Sequence, residues 1–254
     1  MSISIAIVTG ATSGLGRAFL EEWKRAGRSF DEVWLVARHE EMLARTAATL
    51  PWQTQCFALD LSDADERQRM VQALAEAQPD VRMLVSSAGW GKAGRARSLN
   101  RNEVQNVIAL NVAALTDLTL AVLPYCGRGS ILFEIASTAA FLPQPSFSVY
   151  AASKAYVQSF SRALYAEERV NGIRVVSVCP NPMLTGFFER AGMNMQGVKR
   201  IFAESPQAVA HRAMADAEKG RDVSVNCAAA RAVRLAAKAL PHRLLLKLEA
   251  VILR

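Results

Sequence analysis

The chain is poor in the residues that punctuate or staple a fold. Of its 254 residues, 14 are glycine, 9 are proline and 4 are cysteine, and aromatic residues make up 7%. Glycine and proline at this level exclude collagen-like and low-complexity chains. A content of 51% hydrophobic and 21% charged residues excludes a disordered one. Cys56, Cys126, Cys179 and Cys227 lie far apart with no CxxC pair. That spacing argues for packing thiols of a cytoplasmic protein and against a disulfide frame or zinc site. No uninterrupted apolar run reaches about 18 residues, so no transmembrane helix is expected. The opening segment, Met1-Ser2-Ile3-Ser4-Ile5-Ala6-Ile7-Val8, has no positive stretch and no cleavage site. It reads as a first strand, not as a signal peptide. The formal net charge is +7, yet residues 228–254 hold six basic residues and one acid, a local +5. The remainder is near neutral, so no nucleic-acid partner is indicated.

What is present is alternation. Strand-like runs are expected near 3–9, 32–37, 54–59, 82–87, 130–136, 173–179 and 222–226. Helical patterns fit 14–27, 40–49, 63–77, 100–125, 149–171 and 206–219. Several runs, such as Val33-Trp34-Leu35-Val36-Ala37, are apolar on both faces. This suits parallel strands covered by helices on both sides. The pattern predicts an α/β fold, one doubly wound seven-stranded parallel sheet, in which the loops after the strands share one edge. With no linker and no repeat, residues 1–227 read as one domain with a substrate lid near 184–202. Residues 228–254 read as a basic amphipathic extension.

Thr9-Gly10-Ala11-Thr12-Ser13-Gly14-Leu15-Gly16 follows the first strand and opens a helix. Glycines there permit a sharp turn and close backbone approach, and a helix N-terminus offers free N–H groups to a pyrophosphate. The second strand ends at Ala37-Arg38-His39. Dinucleotide-binding folds that take NAD often place an acid at this point to hold the ribose 2′-hydroxyl. Here Arg38 is either a reader of a 2′-phosphate or a solvated surface residue, and the first option favours NADP(H) over NAD(H).

Tyr150 and Lys154 sit four residues apart in a helical segment, hence on one face. Most such pairs are surface decoration. A nearby ammonium, however, favours a phenolate and can tune a tyrosine for proton transfer. Ser137 lies just past the fifth strand, where its hydroxyl can meet a carbonyl oxygen. Asn111 falls in the middle of the apolar face formed by Val104, Ile108, Leu115, Leu118 and Val122. It is either a core amide holding backbone or an amide anchoring a water and the lysine.

Taken together these residues resemble the short-chain dehydrogenase/reductase family over residues 3–226. The resemblance includes TGxxxGxG at 9–16, Asp60-Leu61 after the third strand, and Ser86-Ser87-Ala88-Gly89 in place of NNAG. It continues with Asn111, Ser137, Tyr150 and Lys154, and with Cys179-Pro180-Asn181-Pro182-Met183-Leu184-Thr185 in place of PGxVxT. It implies a Rossmann-like fold and an NADP(H)-dependent enzyme interconverting a small-molecule carbonyl and alcohol. Gly10, Thr12, Ser13, Gly14, Leu15 and Gly16 would face the diphosphate and 2′-phosphate region, with Arg38 beside them. Asp60 and Leu61 would touch adenine, and Ala88 and Gly89 the adenosine ribose. Pro180 and Thr185 would flank the nicotinamide. Tyr150 would be the general acid or base. Lys154 would lower its pKa and bind the nicotinamide ribose, Ser137 would orient the carbonyl, and Asn111 would hold a proton-relay water. Pairing through the helices at 100–125 and 149–171 into a homodimer or homotetramer is also implied.

Three departures stand out: Ser86-Ser87 for two asparagines, Asn181 for a glycine, and no acid after the second strand. A cofactor-binding regulatory or scaffold protein of the same fold is the alternative. Phe141, Phe147, Trp90, Met183 and the 184–195 segment suggest an apolar wall for the substrate, or ordinary lid packing. Arg95, Arg97 and Arg101 are either readers of substrate charge or solvated loop charges. Past Pro241, Leu244, Leu245, Leu248, Val251 and Ile252 would share one helix side opposite Arg243, Lys247 and Arg254. That tail can dock on the body, form a subunit contact, or lie on an anionic membrane surface.

Overall fold

The computed structural model describes residues 2–183, 185–193, 203–239 and 241. The chain alternates strand and helix: β1 (Ser4–Thr9), α1 (Gly14–Arg25), β2 (Glu32–Ala37), α2 (Glu40–Ala47), β3 (Gln53–Ala58), α3 (Ala64–Ala77) and β4 (Asp80–Ser86). It continues with α4 (Arg101–Ile108), a π-turn over Ala109–Ala114, α5 (Leu115–Val122), β5 (Cys126–Ile135), α6 (Ser148–Glu168) and β6 (Arg174–Val178). Last come α7 (Phe187–Arg190), α8 (Pro206–Glu218), β7 (Val223–Ser224) and α9 (Ala228–Ala239). The seven strands form one parallel sheet in the order β3-β2-β1-β4-β5-β6-β7. The expected doubly wound fold is therefore present.

The order reverses beside β1, whose neighbours are β2 and β4. The helices that follow β1 and β4 lie on opposite faces of the sheet, which puts the topological switch point at the C-terminal ends of these two strands. The central strands are buried on both faces because each side chain row meets a helix layer. One layer packs Phe19, Trp23 and Leu43 against Val8, Val85 and Phe133. The other packs Met70, Leu74, Leu118, Val122 and Leu164 against Ile7, Leu84 and Leu132.

The segment Arg101–Tyr125 corrects one expectation. It is long and apolar enough, by length and composition, to cross a bilayer. Counting uninterrupted runs misses it, because Asn111, Thr116, Asp117 and Thr119 break the sequence. Here Val107, Ala114, Leu115, Leu118 and Val122 are buried, as in a core helix. Its other side leaves Ile108 and Leu120 about half exposed. The tail expected past Pro241 lies outside the described residues, although α9 carries the first part of the basic extension.

Phe133 lies in the C-terminal half of β5, fully buried, with its ring 4.8 Å from that of Phe19. Phe133→Ala should therefore lower the unfolding free energy by about 3–5 kcal/mol, read as a shifted urea midpoint.

Candidate active site

The glycine loop is shaped by what cannot fit. Gly10 (φ +64°) and Gly14 (φ +54°) adopt left-handed backbone that L side chains rarely take. A Cβ on Gly16 would stand 2.5 Å from the Gly10 carbonyl oxygen, and one on Gly10 would stand 3.1 Å from the Ala88 nitrogen. The loop after β1 is thus pressed directly against the loop after β4. Thr9 fastens that contact: its hydroxyl accepts the Ala88 N–H at 2.9 Å and faces the Val85 carbonyl at 3.4 Å. Ser13 caps α1 without a side-chain hydrogen bond, and the first turn holds no acid. Its amides and dipole are free to face an anion. Thr12 and Leu15 belong to the same loop, with Leu15 buried in the core.

Thr185 closes the loop from the opposite side. Its methyl would be 3.6 Å from a Cβ on Gly14, so the chain after β6 meets the glycine loop. Pro180 is buried, and its carbonyl accepts the Thr138 N–H at 3.0 Å, fixing the β6 loop to the β5 loop. At the β2 end Arg38 is exposed. Asp60, after β3, accepts the Ser62 amide at 2.9 Å and the Ser62 hydroxyl at 2.6 Å. Burial pushes its carboxyl up, but these bonds and the Arg38 guanidinium together hold it below the usual range. Leu61 is buried beneath it in the core layer.

The four residues singled out for chemistry converge. Tyr150, Lys154, Ser137 and Asn111 are all buried, Lys154 to 5% exposure. Lys154 Nζ donates to the Ile135 carbonyl at 2.7 Å, where β5 ends. Burial lowers its pKa to about 8, opposed by Cys179 and Glu134. Ser137 Oγ accepts the Ala139 N–H at 3.1 Å, so the hydroxyl's own proton remains available. Burial pushes the Tyr150 phenol up to about 12, with Ser137 pulling the other way. The expectation that Lys154 lowers the phenol is not met in this arrangement. Its ammonium stands 5.9 Å from the Tyr150 ring centroid and is directed at backbone, and desolvation prevails.

Asn111 resolves toward its backbone-holding alternative. It grips both polar groups of Trp90, accepting the N–H at 3.1 Å and donating to the carbonyl at 2.9 Å. A second Nδ2 bond reaches Ser153 Oγ at 3.0 Å. The π-turn over Ala109–Ala114 widens the helix where this amide turns inward. Gly89 sits beneath: a Cβ there would be 3.0 Å from Asn111 Oδ1 and 3.4 Å from Lys154 Nζ.

The aromatic wall is partly as expected. Phe147 stacks on Tyr150 at 4.4 Å between centroids, and Phe187 lies 5.3 Å from it. Ala93 and Met193 join this cluster. Phe141 does not: it is buried with Val157, Cys179 and Val223 at the other end of α6 packing. Met183 packs on the core layer of α1, and Trp90 enters the site through its backbone. Lys92 pairs with Glu103 at 2.8 Å, while Arg95, Arg97 and Arg101 are exposed, the last of them opening α4. Sequence reasoning missed two supports, Thr9 and Ser153. Both are small hydroxyl residues whose value lies in reaching backbone or amide across the fold, which spacing alone does not show. A groove of about 410 Å³ between α1 and α8 holds Glu22, but Arg25 and His211 already satisfy that carboxylate.

Comparison with known proteins agrees with this geometry. The family model for short chain dehydrogenase matches residues 4–196. The chain is 34% identical to sulfoacetaldehyde reductase 2 of Chromohalobacter salexigens over 72% of its own length and 74% of that protein's. A short-chain dehydrogenase from Sphingobium yanoikuyae in complex with NADPH superposes with a TM-score of 0.80, at 25% identity, covering 93% of both chains. One from Burkholderia phymatum in complex with NAD gives 0.79 at 26% identity, covering 93% of this chain and 94% of that one. Both of these structures are in complex with a nicotinamide dinucleotide, and in this chain Gly10, Gly16 and Gly89 leave no room for a side chain where the loops after β1 and β4 meet. Gly16→Val should weaken NADPH binding at least about tenfold in a fluorescence titration, equivalent to about 1.4 kcal/mol, because the new side chain must displace the Gly10 carbonyl.

Proposed function

The chain belongs to the short chain dehydrogenase family, and from that membership we propose that it is an NADP(H)-dependent reductase interconverting a small apolar carbonyl compound and its alcohol. The observation that carries the reading is the convergence of Tyr150, Ser137 and Lys154 beside the closely packed glycine loop at one sheet edge. A bound nicotinamide supplies or accepts the hydride. The chain's own residues handle the oxygen and the proton. Ser137 accepts one hydrogen bond, from the Ala139 N–H, and keeps its own proton to meet a carbonyl oxygen. Tyr150 is a neutral phenol at pH 7, able to give a proton to a forming alkoxide, and burial raises the cost of the phenolate left behind. Lys154, anchored on Ile135, places positive charge where an anionic ribose-phosphate and a developing phenolate benefit.

The NADP preference is supported by Arg38 at the end of β2, where Ala37 leaves no carboxylate to repel a 2′-phosphate. The apolar substrate class is supported by the Phe147–Tyr150–Phe187 wall. Self-association is part of the proposal: Ile108, Leu120 and Tyr156 are exposed on neighbouring helices, and Tyr156 contacts Thr116 through its hydroxyl at 3.0 Å. We also place the protein in the cytoplasm, a reading supported by four free cysteines, two of which burial makes poor thiolates, Cys126 near 12 and Cys179 near 11. Contact with an anionic membrane is supported only by the basic charge of α9 and the residues after it.

Tyr150→Phe should reduce ketone or aldehyde turnover by about 10²–10⁴-fold, the usual worth of a general acid, while NADPH still binds. Retained turnover would remove Tyr150 from its role. Arg38→Asp should reverse the preference of NADPH over NADH in a paired titration; an unchanged ratio would show that Arg38 does not read the phosphate. Sedimentation that finds only monomer would dispose of the proposed self-association.

A further inference from the structure

Behind the reacting groups lies an ionisable side chain that the chemistry above does not use. Glu134 is on β5, one residue before Ile135, whose carbonyl anchors Lys154, and three before Ser137. It is fully buried. Its Oε1 meets Thr119 Oγ1 at 3.0 Å, and the same hydroxyl lies 2.7 Å from the Leu115 carbonyl. A threonine hydroxyl has one proton. If it goes to the nearer carbonyl, the contact with Glu134 is a hydrogen bond only when the carboxyl itself donates. Among the described residues neither Oε2 nor the buried Ser86 Oγ makes a well-formed hydrogen bond, although Ser86, in register on β4, is near enough to ease the carboxyl's charge. A carboxylate with one oxygen orphaned in the core is costly, whereas a neutral acid there is tolerable.

We infer that Glu134 is a positioning residue of this site, a buried carboxyl under the cleft floor whose proton state sets how firmly Lys154 keeps its charge. The kinetic consequence rests on the reading of Lys154 given above; the titration itself does not. Burial pushes Glu134 up to about 7, eased by Ser86, Thr119 and Lys154. The groups around it are few. From α6 the facing charge is Lys154. Thr119 on α5, Ser86 on β4 and the in-register Ser177 on β6 do not titrate in this range. Cys179 and Tyr150, both near Lys154 or its partner groups, are pushed to about 11 and about 12 and stay neutral through it. The signs follow. Above about pH 7 an ionised Glu134 favours the ammonium and delays its loss. Below that pH the carboxyl is neutral and the lysine is held only by the Ile135 carbonyl.

The test is a titration of the cofactor-free protein carrying ¹³Cε-lysine, followed by NMR, with the Lys154 signal assigned by its loss in Lys154→Arg. The wild type should show Lys154 releasing its proton well below an ordinary lysine, with a separate inflection near neutral pH as Glu134 ionises. In Glu134→Gln, which preserves shape, the inflection should vanish and the Lys154 midpoint should fall by about one pH unit. The alkaline limb of carbonyl reduction should move down by the same amount, which a merely structural role would not produce. An unmoved Lys154 midpoint in folded Glu134→Gln overturns the inference. If that variant does not fold, the wild type alone decides. An infrared titration must then show a carboxylic acid C=O band disappearing near neutral pH and shifted in frequency by Thr119→Val, and its absence overturns the inference equally. A Lys154 that responds as described in a protein reducing no carbonyl upholds this coupling and rejects the enzymatic reading.

Discussion

Lys154 is a cation with almost no access to water, and its hydrogen bond of 2.7 Å to the Ile135 carbonyl, the one it makes among the described residues, sets the geometry around it. An ammonium in that position must be compensated by dipoles, because moving it from water into protein costs several kcal/mol. The carbonyl is within reach because β5 ends at Ile135 and α6 passes over it. Once the lysine is fixed, its surroundings are constrained in turn. Position 89 cannot carry a side chain, since a Cβ would press on both Nζ and Asn111. Asn111 must then turn toward Trp90, which it holds by both backbone groups, with Ser153 satisfying the remaining donor. Tyr150, one helical turn before Lys154, is delivered beside Ser137 by the same helix.

The crevice that would hold the cofactor depends on a different constraint, the contact of two loops across the switch point of the sheet. Glycine at 10 and 16 is required there by distance. The two serines at 86 and 87 bear on this contact. Ser86 Oγ is buried without a partner, so it does not tie the end of β4 in place. Thr9 does so from the neighbouring strand, through the Ala88 amide. The contact between the two loops thus rests on a hydroxyl of β1 and not on the side chain at 86. The open space beside Ser86 leaves a cavity of about 10 Å³, bounded by Leu61, Ala88 and Leu115, close to the smallest volume that can hold one water.

Much of this was legible in the amino-acid sequence, for reasons that differ by residue. The strands were legible because parallel strands under two helix layers are apolar on both faces, and runs such as Val33–Val36 have no other economical use. The glycine loop and the Tyr150–Lys154 pair were legible because spacing alone decides whether they can act. Asn111 was half legible. A polar residue on an apolar stripe must find partners, but whether they are backbone or water depends on what lies across the fold. Phe141 was misplaced because an aromatic near the site in sequence says nothing of which side of a 3₁₀ turn it faces. The direction of the Tyr150 shift was hidden for a similar reason. It depends on how deeply Phe147 and Phe187 cover the ring, which no local pattern encodes.

That covering gives the site an asymmetry. The rings of Phe147 and Phe187 lie within 4.4 and 5.3 Å of the phenol ring, and the short helix α7 brings Phe187 there. A wall of this kind strips water from the hydroxyl, and a phenol without water keeps its proton. The same apolar surface therefore raises the cost of ionising Tyr150 above that of an ordinary phenol. Taking a proton from an alcohol demands the reverse, a phenolate in the same dry space. The nearest positive charge able to support it is Lys154, at present committed to backbone. A phenolate formed at Tyr150 would therefore gain from Lys154 only if the ammonium's field were redirected from the Ile135 carbonyl.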